Sequence, residues 1–203
     1  MSVKYQQILN DLAIMSKHLQ RAAQNREELL NAAAEMIKAH GIHVPLQMII
    51  DYAGVGRATF YRNFADRKHL IYALLQQSIE NLETRAKYYG QFENGLFLLI
   101  YSHIDNLPHL SALKEYWRVL DSSEAQLQEL IQQHQQIIQP LIDQAIAAKV
   151  CRPDLTFEDY RTIISILTAS FRGHTEQEQI RLAKRAIELL LTGIQVSHEA
   201  RYG

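Results

Sequence analysis

Helical periodicity constrains this chain more than any other feature, because it runs through most of the sequence with no competing alternation of period two. Leu29, Ala33, Met36, Ile37 and His40 fall on one helical face. The same spacing recurs at Leu127, Leu130, Ile131, His134, Ile138 and Leu141, then at Tyr160, Ile163, Ile164, Leu167 and Phe171. It recurs again at Ile180, Ala183, Ile187, Leu190, Leu191 and Ile194. Capping pairs mark helix starts: Asn25 with Glu28, Ser123 with Gln126, Thr156 with Asp159, and Thr175 with Glu178. Asp66 suits a further N-cap, and Gly41 stops a helix as a left-handed residue does. The expected fold class is all-α.

Helix length changes along the chain. Between 25 and 64 the segments are short and the joints tight. Beyond 66 they are long, with breaks at 89–90, 107–108, 121–123, 152–154 and 173–174. The sequence therefore divides into an N-terminal extension (1–24), a small module (25–70) and a larger helical domain (71–203). In the extension, Ile8, Leu12, Met15 and Leu19 form an apolar stripe beside Lys4, Lys17, His18 and Arg21. Two readings are open for it, a helix packed on the protein or a basic arm on DNA, and the stripe favours packing.

Composition narrows the function. Of 203 residues 47% are hydrophobic, enough for a sizeable core, and the net charge is −1. That balance excludes a broadly basic nucleic-acid coat but not a local basic patch. The single cysteine, Cys151, excludes a disulfide framework within the chain and a cysteine-rich zinc site. Residues 1–20 lack the pattern of a signal peptide, and no apolar run is long enough for a bilayer, so a cytoplasmic location is expected.

Residues 45–64 carry the chemistry. Pro45 can open a helix whose apolar face is Leu46, Ile49, Ile50 and Ala53. Gly54 permits a left-handed turn, Val55 plugs the angle between two helices, and Gly56 opens the next one. This is a helix-turn-helix, in which the second helix enters the major groove. Phe60 and Phe64, four apart, face inward, and Arg57, Ala58, Thr59, Tyr61, Arg62 and Asn63 face outward. Arg57 and Arg62 suit guanine edges or phosphates, Ala58 a thymine methyl, and Thr59, Tyr61 and Asn63 phosphate oxygens. From 57 to 68 there are four cations (Arg57, Arg62, Arg67, Lys68) against one acid, Asp66. Lys68, in the first turn of the following helix, suits a phosphate there. Gln47 either touches DNA from the preceding helix or is solvated.

Residues 26–75 resemble the DNA-binding domain of the TetR family of repressors. The resemblance rests on Gly41-Ile42, Ile49, Ala53-Gly54-Val55, Thr59-Phe60-Tyr61, and Phe64 followed by Asp66, Lys68 and Leu70. Residues 148–154 also resemble a common link between late helices in that family. Gly56, Ala58 and Asn63 depart from the family's usual Ser, Gly and His, and Val44 stands where a capping hydroxyl is frequent. The resemblance implies a homodimer formed by the last two helices, a double-stranded palindromic operator, and release by a small-molecule effector held between the middle helices of the C-terminal domain.

For such an effector, His103 and His134 on apolar faces are candidate polar anchors, or else satisfied core histidines. Tyr116, Trp117 and Phe171, with Tyr101, are candidate lining residues or plain core. The spacing of His103, Asp105 and His109 does not put three ligands on one face, so no metal and no cofactor are expected. Cys151 reads as an inert thiol rather than a redox one. There is no nucleophile–base set and no phosphate-binding glycine loop, so an enzyme is not expected. The function expected is a ligand-released transcriptional repressor. The alternative is a helical adaptor, or a DNA-binding protein without ligand control.

Overall fold

The computed structural model describes residues 3–104, 116–169 and 175–194, and every regular element among them is helical. In chain order they are α1 (Val3–His40), α2 (Leu46–Tyr52), α3 (Arg57–Asn63), α4 (Arg67–Tyr89), α5 (Gly95–Ser102), α6 (Ala125–Ala147), α7 (Phe157–Ala169) and α8 (Glu176–Ile194). Residues 116–119 form a single further turn. The all-α expectation holds. Two compact units meet within α4, Met1–Leu74 and Leu75–Gly203. The breaks expected at 107–108 and 173–174 lie outside the described residues.

In the first unit, α1 packs on both α2 and α3. Its buried face carries Leu29, Ala33, Met36 and Ile37 as the spacing predicts, whereas His40, expected on that face, is exposed. Asn25 does not start a helix. α1 runs unbroken through it, because the preceding stretch holds no Gly or Pro and is rich in Gln, Ala and Leu. Instead of a cap, Gln24 Nε2 donates to Glu28 Oε1 at 2.9 Å, one turn on. The extension is thus the first half of α1 rather than a separate element. Packing of its stripe is not seen at Met15 and Leu19, which are 56% and 66% exposed.

α1 ends at Gly41, whose N–H still bonds Ile37 O at 2.8 Å and whose φ of +84° then turns the chain out of the helix. α2 follows with Pro45 as its N-cap, one position earlier than a first-turn proline, and without a side-chain cap. The loop between them is held from elsewhere. Arg67, at the start of α4, donates to the carbonyls of Val44 (2.5 Å) and Ile42. Asp66 caps α4 as expected, accepting from His69 N–H at 2.9 Å.

The core of the second unit joins Leu82, Ala86, Leu96, Leu99, Ile138 and Ile142 to Tyr160, Leu167, Ala183 and Ile187. α7 opens with a reciprocal capping box. Thr156 N–H donates to Asp159 Oδ2 (2.8 Å) and Asp159 N–H donates to Thr156 Oγ1 (3.1 Å). α8 opens with Glu178 N–H donating to Thr175 Oγ1 at 3.4 Å. The Ser123 pair is not a box. Asp121 Oδ1 accepts from both Ser123 N–H (2.9 Å) and its hydroxyl (2.8 Å), a local Asx turn that outcompetes the cap and moves the start of α6 to Ala125. α6 closes with Lys149 at φ 57° and Val150 N–H on Ala145 O at 3.0 Å.

If Arg67 clamps the α1–α2 loop, Arg67→Met lowers stability by about 2 kcal/mol, the scale for hydrogen bonds from a charged group. Urea unfolding of the full chain checks this, and an unchanged midpoint contradicts the clamp.

Candidate nucleic-acid interface and effector site

The first candidate site is built on α2, the turn and α3. Gly54 adopts φ +67°, the left-handed conformation that reverses the chain between the two helices. Val55 is half-buried at the angle, and its N–H reaches Ile50 O at 3.4 Å. Gly56 caps α3 by its backbone alone, with its carbonyl accepting from Thr59 and Phe60 N–H.

Phe60 and Phe64 are buried, their ring centroids 5.7 Å apart, and fix which face of α3 points away. Arg57, Ala58, Tyr61 and Arg62 are exposed on that outer face, Tyr61 at 53%. Thr59 and Asn63 are only half-buried and are engaged within α3. Arg62 Nη2 donates to Thr59 Oγ1 at 2.9 Å, and Asn63 Nδ2 donates to Thr59 O at 2.8 Å. Lys68 is exposed in the first turn of α4. Gln47 is exposed on α2, its amide turned to Asp51 Oδ1 at 2.7 Å.

The basic patch is smaller than its sequence suggests. Arg67 is turned onto backbone carbonyls and leaves Arg57, Arg62 and Lys68 as the outward cations of this segment. Arg26 was missed. From α1 it donates to Asn63 O (3.3 Å) and lies 4.6 Å over the Phe64 ring, placing a cation at the C-terminal end of α3. The signal was present, since Arg26 sits three residues before Leu29, on the edge of the buried stripe.

The second candidate site lies among α4 to α7. His103 and His134 are brought together by Tyr160, which neither pairing nor spacing predicted. His103 Nε2 lies 2.9 Å from Tyr160 Oη, and the His134 ring stands edge-on to both Tyr160 (5.8 Å) and Phe157 (5.1 Å). Arg85 completes the group, with Nη1 donating to Ser102 Oγ at 3.1 Å and Nη2 lying 3.4 Å from His103 Nδ1. Burial, with Arg85 and His134 beside it, lowers the His103 pKa to about 3. Burial, with Arg161 nearby, lowers that of His134 to about 4. Burial raises the Tyr160 phenol. Arg85 and Tyr160 were not singled out in the sequence. Arg85 stands three residues after Leu82 on an otherwise apolar stripe of α4, and that misplaced cation was the available signal.

The other candidates scatter. Tyr116 is buried and Trp117 half-buried in the turn 116–119, and neither is among the ring partners of the histidines. Tyr101 is exposed. Phe171, Asp105 and His109 lie outside the described residues. The Cys151 thiol is buried, and desolvation pushes its pKa up, as an inert cysteine requires. Among the described residues no helix is long and apolar enough to cross a membrane.

A short helix held by two phenylalanines after a left-handed glycine turn, with arginines outward, defines a helix-turn-helix DNA-binding protein. Residues 29–74 match the family described as bacterial regulatory proteins, tetR family. The fold over most of the chain is similar to SCO0520, a TetR transcriptional regulator of Streptomyces coelicolor, at 25% identity, TM-score 0.62, covering 84% of this chain and 98% of that one. It is similar to FadR of Bacillus subtilis in complex with stearoyl-CoA, at 18% identity, TM-score 0.61, covering 83% and 98%. It is also similar to SmeT of Stenotrophomonas maltophilia in its triclosan complex, at 17% identity, TM-score 0.61, covering 86% and 93%. No curated protein sequence matches the chain. Residues 29–74 therefore match the DNA-binding module of that family, and the fold over most of the chain is similar to that of TetR-family regulators.

Buried His103 and half-buried His134 set an acid limit on stability. An unfolded imidazole takes up its proton near pH 6.5, and the folded ones only near 4 and 3. Between those values the unfolded chain binds more protons, so stability falls as pH falls below 6.5. Each histidine contributes a slope of about 1.4 kcal/mol per pH unit. His134→Phe, which keeps the edge-on ring, should remove about half of that slope in urea titrations between pH 6.5 and 5. An unchanged slope contradicts the assignment.

Proposed function

We propose that this protein is a homodimeric transcriptional repressor that binds a palindromic operator in the cytoplasm and is released by a small, largely apolar effector. The observation that carries the DNA reading is the outward set on α3, presented by a helix whose inner face is fixed by Phe60 and Phe64. In this reading 25–70 is the DNA-reading domain, preceded by the extension 1–24, and 71–203 binds the effector and the partner subunit.

Arg57, Ala58 and Arg62 read base edges in the major groove, and Thr59, Tyr61, Asn63 and Lys68 position α3 on phosphates. Arg62 exchanges its bond to Thr59 for a base or phosphate on docking. Gln47 contacts the backbone only by giving up Asp51. Ile166 on α7 and Leu189 on α8 are 40% and 59% exposed, which supports pairing of the last two helices with a second subunit. His134 is a polar anchor of the effector site, and His103, held between Arg85 and Tyr160, supports that site from behind. Structural relatives seen in complex with triclosan and with stearoyl-CoA favour an apolar effector.

The test is a gel shift on the promoter of the protein's own gene. Tyr61→Ala and Lys68→Ala should each weaken binding by about tenfold, and wild-type affinity should fall by at least about tenfold between 50 and 200 mM salt. Wild-type affinity in both variants, or a flat salt dependence, overturns the assigned DNA face.

A further inference from the structure

The second unit contains a directed chain of hydrogen bonds that ends on a buried donor. A guanidinium only donates, so Arg85, at 3.4 and 3.5 Å, makes His103 Nδ1 an acceptor. Ser102, which also receives Arg85, sends its own hydroxyl proton to Leu99 O at 2.7 Å. The proton of neutral His103 is therefore on Nε2 and is donated to Tyr160 Oη at 2.9 Å. The Tyr160 oxygen is thus the acceptor, and its own O–H has no acceptor among the described residues. Tyr160 is among the most deeply buried side chains of the protein.

Beside it, His134 Nε2 is buried and also without a partner among the described residues. The His134 ring stands edge-on to Tyr160, with centroids 5.8 Å apart. The two rings that carry these unused polar groups, on α6 and α7, are thus neighbours beside a core that includes Leu, Ile and Phe side chains. A native core rarely leaves such groups unpaired. Charge adds a direction. Arg85 is half-buried and has no carboxylate partner among the described residues, so the chain starts at an uncompensated cation. Each bond in a chain polarises the next, which makes the terminal Tyr160 O–H a stronger donor toward negative charge.

We propose that this cluster recognises an organic anion, a carboxylate or phenolate on an apolar body, whose oxygen accepts from Tyr160 O–H and His134 Nε2–H. This rests on the effector reading above and names the class of effector. Arg85 acts through His103 without touching the ligand, while Tyr160 and His134 make the contacts.

Matched probes test the class by titration calorimetry and thermal shift on the full chain: 4-tert-butylbenzoate against 4-tert-butylbenzamide, and decanoate against decanamide. The proposal expects at least one acid to bind at least tenfold more tightly than its amide. It expects Tyr160→Phe, which removes only the hydroxyl, to lose about tenfold for that acid, and His134→Phe to weaken it too, should Tyr160→Phe melt early. If an amide binds as tightly as its acid, the anion class is wrong and the effector reading stands. If neither pair binds at millimolar concentration, both fall. If both variants bind the acid like wild type, the cluster is not the site.

Discussion

Burial of Phe60 and Phe64 in the first unit is the interaction on which the DNA-reading surface depends. α3 has only seven residues, too few to be stable as an isolated helix. Its orientation comes from these two rings, and with them inward the outer face can only be Arg57, Ala58, Tyr61 and Arg62. Everything around serves that anchorage. The left-handed Gly54 sets the angle between α2 and α3, Arg26 holds the last carbonyl of α3, and Arg67 ties the loop that carries α2. Two arginines that would count as DNA-binding charge in a census are instead spent on backbone carbonyls.

The second unit is organised differently. Its core is apolar except for one polar line from Arg85 through His103 to Tyr160, with His134 alongside. Filling that space with apolar side chains would be a simpler way to a stable core, because buried polar groups contribute only when fully satisfied. Keeping two imidazoles neutral costs acid stability, and leaving His134 Nε2 without a partner costs desolvation. Such groups are concentrated where a protein recognises something.

The parts legible in the sequence were those fixed by local rules. The inward phenylalanines, the Gly54 turn, the Gly41 stop, the Asp66 cap and the Thr156 box each follow from chemistry within about four residues. The parts not legible depended on competition or on distance. Asn25 and Ser123 both looked like caps. The first is overridden by strong helix formers on either side, and the second by Asp121, whose carboxylate two residues away takes both the N–H and the hydroxyl of Ser123. Arg67 counted as surface charge because nothing local shows that the carbonyls of Ile42 and Val44 lie within its reach. Tyr160 read as one more apolar position of a stripe, because His103, just past α5, and His134, on α6, are distant in sequence.

The central claim, that α3 reads duplex DNA as one of a symmetric pair, is tested most directly by selecting from a random duplex library with the purified protein. The account predicts enrichment of inverted repeats whose half-site centres are separated by about one helical turn, 10 base pairs, or a multiple of it, and loss of that enrichment in Arg57→Ala/Arg62→Ala protein. Enrichment of sequences without two-fold symmetry, or the same enriched repeats with the doubly substituted protein, would contradict it.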